Sequence, residues 1–93
     1  MEPMELPDGL TLQRTTPTFD ETSVPAGLLG AHSVADGVWG RLVVSSGSIG
    51  FVFDDEPDST RVVRASEWQV IPPVRTHHLV ILGPVTFAVE FHR

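Results

Sequence analysis

The amino-acid sequence predicts an all-β fold, a small antiparallel β-barrel of the jelly-roll type. Apolar residues tend to alternate with polar ones from residue 10 onward, and turn-forming residues recur about every 8–12 positions. No segment keeps the period of an amphipathic helix. The 93 residues form one domain with a limited core, so we expect the chain to gain buried surface as a homodimer.

The N-terminal residues differ in character from the rest of the chain. Residues 1–9 are acidic, contain two prolines and show no apolar period. We expect a flexible arm there, or an arm that lies across a neighbouring subunit. The barrel domain is expected to span residues 10–93.

Two short strands are predicted in the first part of the domain. Residues 10–19 form the first, and Pro17 confines its end to a sheet edge or a bend. A loop then leads to a second strand at residues 28–34. His32 lies on one face of that strand together with Leu28, because side chains alternate along a strand.

The clearest predicted unit is a hairpin formed by residues 38–44 and 48–54, with Gly47 in the turn between them. Trp39 and Arg41 share one face of its first strand. An arginine that points into a barrel binds carboxylates or small anions, whereas an outward arginine pairs with an acidic residue. Both orientations remain open, so Arg41 is a candidate ligand-binding residue and Trp39 a candidate pocket wall.

The second half of the domain begins with an acidic loop at residues 54–60. The loop lacks the spacing of a calcium-binding loop, so we interpret it as solvated. Pro72 and Pro73 stiffen a later bend. Four short strands are predicted here, at residues 61–64, 68–71, 77–82 and 85–92.

The composition excludes several classes of function. The absence of cysteine excludes disulfides, thiolate metal sites and iron–sulfur clusters, and the absence of lysine excludes Schiff-base chemistry. A net charge of −6 disfavours nucleic acids and anionic membrane surfaces as partners. No apolar run is long enough to cross a bilayer, so we expect a cytoplasmic protein.

Three of the four histidines lie close together in the last strands of the chain. His77 follows the stiffened bend, which is a good position for a metal ligand, and His78 must face the opposite side of the strand. The final strand has valine and phenylalanine on one face and Glu90 on the other. A carboxylate among small residues, opposite such an apolar face, favours a polar pocket inside the barrel.

The candidate metal site therefore combines His32, His77 and Glu90, with His92 as a possible fourth ligand. Two imidazoles and a carboxylate suit zinc, iron(II), manganese or nickel, and leave positions open for water or substrate. The alternative is that these histidines are surface or hydrogen-bonded residues without a metal. No other catalytic motif is present.

Four segments of the chain carry a family resemblance. They are TPTFDETSVPAGLLGAH at residues 16–32, GVWGRLVVSSGSIGF at 37–51, PPVRTHH at 72–78 and FAVEFH at 87–92. Together they resemble a cupin-like family that includes the N-terminal domain of TehB-type tellurite-resistance proteins and the stand-alone YeaR-like proteins. Each segment alone is a weak signal, whereas the combination is specific.

The resemblance implies a small cupin β-barrel, often dimeric, that holds a divalent metal and has no established activity. His32, His77 and Glu90 stand at the family's metal-ligand positions, and Arg41 stands at its arginine. The usual first cupin motif has a His-x-His pair followed by a glutamate, and this chain lacks that pattern after His32. The departure puts a standard four-ligand centre in doubt.

The leading functional hypothesis is a cupin that binds a divalent metal, zinc first, with iron, nickel or manganese as alternatives. A small anion or oxyanion bound near Arg41 would connect it with tellurite or stress resistance, as the family resemblance implies. Two alternatives stay open. One is a metal-dependent enzyme of the dioxygenase or isomerase type, and the other is a metal-free dimeric module that senses a small molecule.

Overall fold

The computed structural model describes residues 5–93, so residues 1–4 of the predicted arm lie outside the described part of the chain. Every strand pair is antiparallel, which confirms the all-β prediction. Among the described residues no helix has the length and hydrophobicity that a membrane crossing requires. The elements are β1 (Leu12–Thr15), β2 (Phe19–Asp20), a 3₁₀ helix (Ala26–Leu29), β3 (Trp39–Phe53), β4 (Thr60–Arg64), β5 (Trp68–Ile71), β6 (His77–Val80) and β7 (Val85–His92).

Strand β3 runs through two sheets and joins them. Its first half pairs with β5 on one side and β7 on the other, and β7 also pairs with β1 and β2. We call this set sheet 1. The second half of β3 lies between β4 and β6, and we call this set sheet 2.

The predicted hairpin at residues 38–54 is wrong, because residues 39–53 form one continuous strand. The register against β7 shifts between Val44 and Ser46, as in a β-bulge, and Gly47 has a φ of +69°. A bulge with a glycine of positive φ bends a strand and increases its twist. The serine–glycine segment therefore turns β3 from sheet 1 into sheet 2 and does not reverse the chain.

The predicted strand at residues 28–34 is also wrong over most of its length. The chain forms a 3₁₀ turn in which the Leu28 amide donates to the Pro25 carbonyl at 2.9 Å. Only His32 makes a β-bridge, and its partner is His77. This one bridge is enough to fix the position of His32 against sheet 2.

The core lies between the two sheets and is built from residues of β3, β4, β5, β6 and β7 together with Val34. Phe87 on β7 and Leu42 on β3 are fully buried from sheet 1, and Phe51 and Ile49 are fully buried from sheet 2. All belong to one apolar cluster. Burial of side chains of this size contributes roughly 1.5–3 kcal/mol each, so this cluster is the main source of stability in so small a domain.

Candidate functional site

Two histidines from distant parts of the chain stand side by side in the structure. The His32 amide donates to the His77 carbonyl at 2.9 Å, and the His77 amide donates to the His32 carbonyl at 2.8 Å. The two rings meet edge to face, with 5.5 Å between their centroids and an angle of 89° between their planes. Because the backbones are paired directly, main-chain geometry sets the two side chains next to each other.

The bend before β6 fixes the direction of His77. The Val74 amide donates to the Val34 carbonyl at 2.8 Å, and the Asp54 amide donates to the Thr76 carbonyl at 2.9 Å. These bonds tie the bend to the segment that carries His32 and to the end of β3. The His77 ring then stacks on Phe51, with 5.1 Å between centroids and 18° between planes.

Both histidines line a small cavity of about 60 Å³ between the two sheets. Ten of the described residues line it, and seven of these have apolar side chains, among them Leu42, Leu79 and Val89. The other three are the two histidines and Thr16, whose hydroxyl already accepts the Val89 amide at 3.0 Å. The imidazole nitrogens are therefore the groups in this cavity that can bind a ligand.

The hydrogen bonds of His77 leave one ring nitrogen free to bind. Its Nδ1 lies 3.2 Å from the Arg75 carbonyl oxygen. A carbonyl only accepts, so Nδ1 carries the hydrogen and Nε2 keeps its lone pair. Burial lowers the pKa of His77 more than the Arg75 carbonyl raises it, so this imidazole is neutral at pH 7.

His32 is less constrained than His77 at its side chain. Its ring nitrogens make no hydrogen bond within residues 5–93, and its side chain is only partly buried. The main chain is held at both its N–H and its C=O, so the ring can change its rotamer without moving the backbone. Both histidines thus present nitrogen lone pairs that no other described residue occupies.

Glu90 lies on the opposite face of β7 from this cavity. Phe87 and Val89 point into the core, so Glu90 and His92 point to the outer face of sheet 1. The expectation that the Glu90 face forms a polar interior pocket is wrong. Burial of the larger apolar side chains of β7 gains more free energy than burial of its small and polar ones, so the apolar face of β7 faces the core.

The Glu90 carboxylate is held by two partners on that outer face. Arg41 donates to it through Nε at 2.8 Å and through Nη2 at 3.2 Å, and His92 Nε2 lies 3.0 Å from Oε1. Burial raises the pKa of Glu90, but the hydrogen bonds from Arg41 and His92 outweigh it, so the pKa lies below its ordinary value. This carboxylate is a charged, paired group.

Arg41 and Trp39 occupy the outer face as well. They alternate with Gly40 and Leu42 along β3, and Leu42 is fully buried. The guanidinium of Arg41 pairs with Glu90 and lies 5.6 Å from the centre of the Trp68 ring. The structure therefore shows the outward, acid-paired orientation of Arg41, and Trp39 is not a wall of the interior cavity.

The structure brings together two of the predicted metal ligands and separates the others. Across residues 5–93 there is no group of three His, Cys, Asp or Glu side chains placed to hold a metal ion. His78 faces away from His77, as expected, and its Nδ1 lies 2.7 Å from Asp54 Oδ1. The apolar cavity walls were not proposed as site residues, although the alternation of Leu42, Val89 and Phe91 carried that signal.

Comparison with known proteins places the chain in a family. The model of the TehB-like domain matches residues 14–89, which include both cavity histidines and nearly all of the barrel. The chain belongs to the TehB-like domain family. This TehB-like chain is 25% identical to the uncharacterized protein YeaR of Escherichia coli K12 over 92 residues, which cover 90% of the chain and 77% of YeaR.

Solved structures show the same fold. A crystal structure of a protein from E. coli K12 superposes with a TM-score of 0.86 at 24% identity, covering 96% of this chain and 95% of that one. TehB from Haemophilus influenzae gives a TM-score of 0.81 at 18% identity, with coverage of 89% and 31%. A cupin-2 domain protein from Shewanella frigidimarina gives 0.56 at 18%, with coverage of 87% and 64%. The TehB-like chain thus has a cupin-like fold.

Proposed function

We propose that this TehB-like chain is a cupin-type binding protein whose interior cavity holds a divalent transition metal, zinc first, on His32 and His77. The observation that carries the proposal is the backbone-paired placement of these two imidazoles on one small cavity. Both rings have nitrogen lone pairs that face no other described donor. Neutral imidazole is a preferred ligand of zinc, nickel and iron(II).

The size of the cavity favours a metal ion over an organic ligand. Pockets for drug-sized molecules have volumes of about 300–1,000 Å³, whereas one water molecule occupies about 30 Å³ in the liquid. A volume of about 60 Å³ has room for an ion with one or two solvent molecules. The apolar walls keep other water out, which strengthens the electrostatic attraction between the ion and an anion beside it.

The surroundings of His77 match those of a metal ligand. A metal-bound histidine almost always donates its second ring N–H to a carbonyl, a carboxylate or water, and this bond sets the tautomer and the ring direction. The Arg75 carbonyl has that position at Nδ1 of His77. His77 is therefore expected to bind the metal through Nε2.

Two protein ligands leave the coordination of the metal incomplete. Structural zinc sites use four protein ligands and catalytic sites use three, so a two-histidine site binds its metal more weakly and keeps at least two exchangeable positions. We infer that a small anion completes the coordination. The family resemblance to tellurite-resistance proteins makes an oxyanion the first class to test, with His32 and His77 orienting it through the metal.

A metal-free ligand module is the second candidate, and the apolar lining favours it. Seven apolar side chains around two imidazoles also suit a very small neutral molecule that accepts or donates one hydrogen bond. In that case His77 Nε2 accepts a hydrogen bond from the ligand. A chelator would then leave both ligand binding and thermal stability unchanged, which separates the two candidates.

Zinc titration of tag-free protein tests the proposal. Wild type is compared with His32→Ala, with His77→Phe, which keeps a ring on Phe51, and with His78→Ala as the control on the outer face. We expect His32→Ala and His77→Phe each to lose zinc affinity by at least about tenfold, as for the loss of one ligand, and His78→Ala to match wild type. Equal affinity in all four proteins would contradict the proposal, provided that circular dichroism shows each variant folded.

A further inference from the structure

A second and larger cavity lies where β4 and β5 separate. Its volume is about 330 Å³, within the range of sites for small organic molecules. No residue of the histidine cavity lines it among residues 5–93. It therefore requires an explanation of its own.

The cavity follows from the way β3 is shared between the sheets. β4 pairs with the second half of β3 and β5 pairs with the first half, so the two strands diverge from the turn that joins them. The Ser66 amide donates to the Val44 carbonyl at 3.0 Å, and Glu67 Oε1 accepts the Arg64 amide at 2.8 Å. The first bond holds the turn against β3 and the second closes the turn on itself, so the position of the gap is set by the main chain.

The charges on this cavity are opposite to those of the whole chain. The chain carries a net charge of −6, yet the described residues that line the cavity include two arginines, Arg61 and Arg64, and one acidic residue, Glu67. The Glu67 carboxylate already accepts a backbone amide. The Arg64 guanidinium makes no ion pair within residues 5–93, so its N–H groups are available to donate hydrogen bonds to a ligand.

Arg61 has different surroundings from Arg64. Its Nε is buried and has no hydrogen-bond partner in the described part of the chain, while its Nη2 donates to Glu56 at 3.2 Å. The Arg61 guanidinium carbon lies 5.0 Å from the centre of the buried Phe53 ring, so Arg61 shares the inner face of β4 with Val63, whereas Arg64 and Val62 share the exposed face. Arg64 is therefore the exposed arginine of the cavity lining.

The remaining wall is apolar and aromatic. Trp68 is 39% exposed and Val62 is 41% exposed, and both line the cavity. An indole face packs well against a flat ring, and a planar guanidinium binds a carboxylate through two parallel hydrogen bonds. The lining thus offers a flat apolar surface next to a site for one negative charge.

We propose that the cavity between β4 and β5 binds a small organic anion with a flat apolar body and a single carboxylate. Arg64 binds the carboxylate, and Trp68 and Val62 contact the apolar body. This site is separate from the histidine cavity and does not depend on the function proposed for it.

Benzoate, benzyl alcohol and benzylamine form a probe series of one ring with negative, neutral and positive groups. Each is titrated into the full chain while amide chemical shifts are followed by NMR. We expect saturable shifts for residues 61–69 with benzoate, and affinity at least about tenfold weaker for the other two, because they lose the charge-assisted hydrogen bonds. Residues around His32 and His77 should not shift.

Arg64→Gln is the test variant, and Arg14→Gln is its control. Both remove one positive charge from an exposed side chain, and Arg14 lies on β1 at the far edge of sheet 1. Arg64→Gln should weaken benzoate binding by about tenfold and Arg14→Gln should not. The proposal is overturned by equal binding of benzoate and benzyl alcohol, by shifts that map elsewhere, by no saturable shift, or by equal losses in both variants.

Discussion

Arg41 and Glu90 are direct partners across β3 and β7, and the guanidinium donates to both oxygens of the carboxylate. This pair lies on the outer face of sheet 1, with His92 as a third member. Glu90 is the only acidic residue of β7, and the side chains of Arg41 and His92 provide hydrogen bonds to its carboxylate without any ligand from outside the chain. The carboxylate that was predicted to bind a metal is therefore paired within the chain.

Replacement of Glu90 by glutamine is expected to lower stability without affecting metal binding. The change removes a partly buried, bidentate ion pair, and a cost of about 1 kcal/mol in the free energy of unfolding is expected. Urea denaturation gives the stability, and a zinc titration under the same conditions gives the affinity. A large loss of zinc affinity with unchanged stability would show that Glu90 is a metal ligand after all.

The same residue predicts how stability falls in acid. The pKa of Glu90 is lower in the folded chain than the ordinary value of 4.5, because Arg41 and His92 donate hydrogen bonds to its carboxylate. The folded state therefore binds the proton less well, and the contribution of Glu90 is complete above that value. It is lost as the pH falls through the folded pKa. Wild type should lose more stability than Glu90→Gln on acidification below about pH 4; parallel curves would refute this.

His77 predicts a second dependence at higher pH. Burial lowers its pKa in the folded chain, whereas an unfolded histidine titrates near 6.5. Its contribution to stability is therefore complete above about pH 6.5 and declines as the pH falls toward the folded pKa, because the unfolded chain takes up the proton. We expect urea midpoints measured from pH 7.5 to 5 to fall less in His77→Phe than in wild type. The His78→Ala variant controls for the neighbouring histidine.

The bend in β3 predicts a strong effect of one methyl group. Gly47 has a φ of +69°, and a Cβ there would collide with the carbonyl oxygen of Pro84. Gly47→Ala should therefore lower the free energy of unfolding by about 2–4 kcal/mol. Gly37→Ala is the matched control, since its φ is +77° and its Cβ would meet nothing within 4 Å. Equal losses in the two variants would show that φ strain, and not the contact with Pro84, sets the effect.

Much of the fold follows from local pattern in the sequence. The bounds of β5 and β7 match those predicted. In β7 the apolar residues at every second position fit a strand with one buried face, whereas β5 buries three consecutive residues. The hairpin at residues 38–54 does not follow, since a serine–glycine segment favours a turn and a bulge equally well. The choice between them depends on the register that β7 imposes on β3, a contact about forty residues away in sequence.

The candidate site shows the same division. The pairing of His32 with His77 agrees with the expected set, and the outward direction of His78 follows from strand alternation. Glu90 was placed on the wrong side because alternation gives two faces without saying which one is inside. The packing of Phe87 and Val89 in the core determines which face of β7 is inside. This packing involves several strands and cannot be derived from the pattern of one.

Ring nitrogen chemical shifts of all four histidines, measured by ¹⁵N NMR with and without zinc, test the central claim most directly. The account predicts a large shift of Nε2 of His77 and of one nitrogen of His32. His78 and His92, held by Asp54 and Glu90, should stay unchanged. A zinc response confined to His92, or no response from any ring at saturating zinc, would contradict it.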